Sequence, residues 1–92
     1  MYTYDVERMK IVSEEALSEL QRATSLHEPM HGAHEGYAVM LEEFDELWDL
    51  VKLNPKKMSI EELKAHREHI REEALQVAAM AMRFVIDVCD SP

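Results

Sequence analysis

Residues 34–51, HEGYAVMLEEFDELWDLV, repeat their apolar side chains every three or four positions, which is the signature of an amphipathic helix. The acids on that helix are harder to place. With Glu43 set at zero and 100° per residue, Leu47 and Met40 fall at about +40° and +60°, and Leu50 and Val39 at about −20° and −40°. Glu43 therefore stands among positions that should form the core. Glu46 lies at the edge of the same arc, while Glu42, Asp45 and Asp49 turn towards water.

Working outward, Val6, Met9, Val12, Ala16, Leu20 and Ala23 give residues 4–24 the same periodicity. SLHEPMHGAHEG then breaks the pattern with one Pro and two Gly. The central helix spans about 34–53 and is stopped by NPKK, because Pro55 drives Asn54 out of helical geometry. Ser59 with Glu62 three residues later is a capping-box signal for a third helix. That helix runs over about 60–88, and a break between Glu68 and Arg71 is compatible with the pattern. The expectation is one all-α domain over residues 1–92, an antiparallel bundle of three to four helices.

Residues 74–89, ALQVAAMAMRFVIDVC, are apolar nearly all the way round, with Gln76, Arg83 and Asp87 as the strongly polar exceptions. Such a helix must be covered on most sides. A chain of 92 residues has little core to offer, so oligomerisation, as a homodimer or homotetramer, is expected to complete it. A monomer with the first helix folded across this segment is the simpler alternative. Cys89, the lone cysteine, reads as a small buried apolar residue.

The formal charge of −9 opposes binding to polymeric nucleic acid or an anionic membrane through the general surface. No apolar run is long enough to span a bilayer, and MYTYDVERMK has no signal-peptide pattern, so the default location is cytoplasmic.

The third helix repeats the anomaly of the second. Ile70, Val77, Met80 and Phe84 lie within about 60° of Glu73 on the same projection. An unpaired carboxylate in an apolar interior must be protonated, paired or bound to a cation. Arg83 or an arginine of the first helix could pair with these acids, or a local bend could carry them to water. A third solution uses both helices. Each has an oxygen-bearing pair at i, i+3, Glu43/Glu46 and Glu73/Gln76, and packed helices could bring all four to one point. Oxygen donors alone suit Mg²⁺ or Mn²⁺ rather than zinc.

LEEFDELW holds the spacing EExxE as Glu42, Glu43 and Glu46, and EALQ supplies an ExxD-like element at Glu73–Gln76. Together, over roughly residues 30–90, these segments resemble the MazG-like nucleoside triphosphate pyrophosphohydrolases of the all-α NTP pyrophosphatase superfamily. The resemblance implies Mg²⁺-dependent hydrolysis of a nucleoside or deoxynucleoside triphosphate to monophosphate and pyrophosphate. It makes Glu43, Glu46 and Glu73 metal ligands, with Gln76 at the fourth position. Glu42 would be a further ligand or a water-orienting base, and Glu42 and Glu46 the catalytic pair. Where the family has aspartate, Gln76 offers a carbonyl oxygen and no charge; Asp87 lies about three turns further along. For the substrate, His34 in the segment before the helix, Tyr37 and Trp48 as flat surfaces, and Arg83 as a phosphate contact are the candidates. Arg83 could equally pair with Asp87 at i+4.

Two other readings use the same residues. His27, His31 and His34, or His66 and His69, have metal-like spacing, but the first three span a Pro- and Gly-containing loop. A non-catalytic helical assembly module, or a nucleotide sensor with a degenerate metal site, would need no turnover.

Overall fold

The computed structural model describes residues 2–91, and these form three helices, α1 (Val6–Leu26), α2 (Ala33–Val51) and α3 (Ile60–Phe84). A short 3₁₀ turn (Pro55–Lys57) precedes α3 and a π-helical turn (Val85–Cys89) follows it. No strand occurs among the described residues, and no helix is long and apolar enough to cross a membrane.

Local chemistry sets the boundaries. Asp5 caps α1 by accepting the Arg8 amide at 3.2 Å, which starts the helix at Val6, two residues later than the expected span. Thr24 and Ser25 return their hydroxyls to the Leu20 and Arg22 carbonyls, carrying the last turn to Leu26. Ser59 caps α3 through the Glu62 amide at 3.1 Å. The third helix is unbroken through Glu68–Arg71, a stretch without Gly or Pro.

α2 and α3 form an antiparallel hairpin, with Gly36 near Phe84 at one end and Val51 near His66 at the other. A Cβ on Gly36 would stand 2.6 Å from the Phe84 ring and 3.0 Å from Met30 Sδ, so only glycine permits this approach. α1 runs parallel to α3 instead. Arg71 bonds Glu15 at 2.7 Å, and two turns on Leu20 and Ala23 meet Ala79 and Met80. Met30 closes this cluster from the α1–α2 loop, with Val39, Met40, Met82, Phe84 and Val88 packed around it.

That core is small for the chain. The accessible surface is 7296 Å², about 1,800 Å² above the about 5,500 Å² of a compact 10.7 kDa monomer. The radius of gyration is 15.4 Å, against about 12 Å for a compact domain of this length. Cys89, expected to be buried, is exposed, as are Val85 and Ile86, because α1 covers only one side of α3 and ends before the π-helical turn.

Candidate metal centre

Antiparallel pairing of α2 and α3 sets the Glu43–Glu46 pair against the Glu73–Gln76 pair. One carboxylate oxygen from each of Glu43, Glu46 and Glu73 lies within 4.8 Å of the other two. Ligands around an octahedral Mg²⁺ at about 2.1 Å are about 3–4 Å apart, so modest side-chain rotation closes the set. Glu43 and Glu73 are half-buried and Glu46 is exposed, in line with their places on the helical projection.

Electrostatics marks the same spot. Burial holds the Glu43 carboxyl above its ordinary range, and the negative charges of Glu46 and Glu73 push it further. Glu73 is raised by burial and then by Glu46, with the nearby His69 acting in the opposite sense. His69 Nε2 stands 3.8 Å from Glu73 Oε1. Among the described residues, no ion pair joins a lysine or arginine to Glu43, Glu46 or Glu73. Arg22 of α1 pairs with Glu19, and Arg83 turns to the loop, instead of neutralising them.

Gln76 completes the group. With its amide nitrogen turned towards the acids, it donates to Glu43 Oε2 at 2.9 Å and to Glu73 Oε2 at 3.2 Å. A half-turn of the amide puts the carbonyl oxygen in the nitrogen's place, so one side chain can serve the acids alone or a cation among them. The donor set is entirely oxygen and mostly anionic, which fits a small hard cation.

A cleft of about 540 Å³ lies beside the acids, between α1, the loop and the α2–α3 hairpin. Glu42 and Glu43 line it from α2, and Gln76 from α3. Glu19 and Arg22 enter from α1, paired at 2.5 Å. Neither stands out in the sequence, where an i, i+3 Glu–Arg pair looks like any solvated helix face. Their proximity to Glu43 follows from the parallel docking of α1, which periodicity does not encode.

Arg83 is 5 % exposed and serves the loop. Its Nη2 donates to the Glu28 carbonyl, and its Nε lies 3.5 Å from Asp87 Oδ2 without hydrogen-bond geometry. Asp87 in turn accepts the Met30 amide at 2.9 Å. The expected Arg83–Asp87 pairing is thus half of a latch that holds the loop, and Arg83 borders the cleft without a free guanidinium face. The other substrate candidates are not brought to the acids. His34 and Tyr37 line a separate depression with Phe84, and Trp48 is exposed outside the cleft. His27 and His31 do line the cleft, so His27, His31 and His34 do not converge.

The chain matches no family model, no curated protein and no solved structure.

Proposed function

We propose that this chain is a cytoplasmic, Mg²⁺-dependent nucleoside triphosphate pyrophosphohydrolase of the MazG-like kind, working as a homo-oligomer, with Mn²⁺ able to replace Mg²⁺. One observation carries the reading. Three carboxylates on two helices converge beside a cleft, two of them half-buried, and among the described residues no lysine or arginine pairs with them. Holding them together costs folding free energy that a divalent cation would return.

A bound Mg²⁺ would supply charge neutralisation for the triphosphate. Glu43, Glu46 and Glu73 would hold the ion, with the Gln76 carbonyl as a further ligand after a half-turn of the amide. Glu42, exposed at the cleft wall, would orient the attacking water and take its proton as the oxygen bonds to the α-phosphorus and the bridging bond breaks to release pyrophosphate. Arg22, exposed at the cleft and bonded to Glu19 through Nε and Nη2, takes with its Nη1 edge the phosphate-holding part that the sequence suggests for Arg83. The cleft volume falls in the range of about 300–1,000 Å³ common for small-molecule sites. The test is pyrophosphate release from a panel of common and modified nucleotides, with Glu43→Ala and Glu73→Ala abolishing it while the helical content stays.

Gln76 favours a second reading. Its amide can satisfy Glu43 and Glu73 without any ion, as a non-catalytic assembly module would need. That module expects assembly with no turnover and no thermal shift with Mg²⁺, whereas a nucleotide sensor keeps the site and expects binding without turnover.

A further inference from the structure

We infer that two copies of the chain pair through the α2–α3 face opposite α1, with the two α2 helices antiparallel and Phe44 on the twofold axis. Tyr37, Leu41, Phe44, Trp48 and Val51 follow one another at steps of four, three, four and three residues. That is the spacing of a two-stranded helical seam. All five are between 44 and 62 % exposed within one chain. On the projection that puts Glu43 at zero they cluster near +120°, whereas the cleft residues Glu35, Val39 and Glu42 lie at about −40° to −100°. Ala74, Ala78 and Ala81 of α3 and Val85 of the turn after it, also exposed, occupy the matching side, so a ridge of aromatics runs beside a track of small side chains.

The occupant is a second copy of this chain. The chain's surplus surface of about 1,800 Å², shared between this face and the exposed apolar residues of α1, leaves room for the about 800 Å² that each partner contributes to a standard interface. The stripe is also self-complementary. In antiparallel register Phe44 meets Phe44 of the other copy, Leu41 meets Trp48, and Tyr37 meets Val51, so the layers have similar volume. A parallel pair would stack Trp48 on Trp48 and Val51 on Val51, giving uneven layers, and would align the helix dipoles unfavourably. The seam itself carries no charge. Asp45 borders it, and the twofold brings two Asp45 side chains to its margin, so added salt tightens the pair. The acids and their cleft face away, which makes this inference independent of the metal.

Sedimentation velocity on the full chain tests it. The wild type is expected at twice 10.7 kDa, with tighter association in higher salt. Phe44→Glu should raise the dissociation constant roughly 100-fold or more while leaving helicity intact. Orientation is read in a Cys89→Ser background, where Phe44→Cys should form an intermolecular disulfide and Val51→Cys should not. A monomeric wild type, a Phe44→Glu variant that still dimerises, or efficient Val51→Cys cross-linking would each overturn the proposal.

Discussion

Glu43 of α2 and Gln76 of α3 meet across the hairpin with carboxylate oxygen and amide nitrogen 2.9 Å apart once the amide faces the acid. This contact joins the two helices where an acidic interior most needs a donor. It also makes position 76 the point at which the metal account can be pushed in either direction.

Replacing Gln76 by aspartate removes the donor and adds a fourth negative charge. Without metal, Gln76→Asp should be less stable than the wild type, because Glu43 and Glu73 lose their amide partner and gain a repulsive neighbour. Mg²⁺ affinity should rise about tenfold or more, since ligand charge governs affinity at oxygen sites. Calorimetric titration reads the affinity and urea unfolding the stability. Unchanged Mg²⁺ affinity would remove position 76 from the site.

The raised carboxyls make stability depend on pH in a definite sense. Burial and mutual repulsion lift Glu43 and Glu73 above the usual carboxylate range. Between the unfolded and the folded values, the native state then binds more protons than the unfolded one. Metal-free protein should therefore lose stability as pH rises through that window and gain it on mild acidification. Glu15 works the other way: its hydrogen bond to Arg71 holds it low, so its contribution is present above the ordinary carboxylate range and lost as pH falls through its folded value. Glu43→Gln should raise the melting temperature at neutral pH without metal, weaken the pH dependence, and lose the stabilisation by Mg²⁺. A variant that melts below wild type at neutral pH in chelator would contradict this.

Much of the fold and the acidic centre is legible in the sequence, and the failures share a cause. Caps at Ser59 and the Pro55 stop are local, and the placement of Glu43 and Glu73 follows from a 100° step along a regular helix. What lies beyond reach depends on how helices dock. The parallel approach of α1 brings Glu19 and Arg22 to the cleft. It also leaves Val85, Ile86 and Cys89 uncovered, although residues 74–89 read as buried nearly all round. The role of Arg83 is half visible, since i+4 spacing gives Asp87 but not the Glu28 carbonyl 55 residues away in sequence.

Breaking the loop latch should be costly. Arg83→Ala leaves Asp87 without its cation and the Glu28 carbonyl without its donor, and about 3 kcal/mol of stability should be lost. Limited proteolysis should cut faster between residues 27 and 32. Wild-type cleavage rates in the variant would show that the loop is held by Met30 alone.

Gly36→Ala puts a methyl group against the Phe84 ring. Overpacking of about 1–3 kcal/mol should outweigh the gain in helix propensity of about 1 kcal/mol, and Phe84→Leu should rescue the variant. Thermal melts of the single and double variants measure this, and a stabilised single variant would show that α2 and α3 can part without loss.

The central claim is that Glu43, Glu46 and Glu73 gather to hold a hard divalent cation for pyrophosphate release. Its most direct test is pyrophosphate production by the wild-type chain across a full nucleotide panel, with Mg²⁺ or Mn²⁺ and with chelator. Release from at least one triphosphate, dependent on metal and lost in Glu73→Ala, is the result expected. No release from any nucleotide, together with a melting temperature indifferent to either ion, would contradict it.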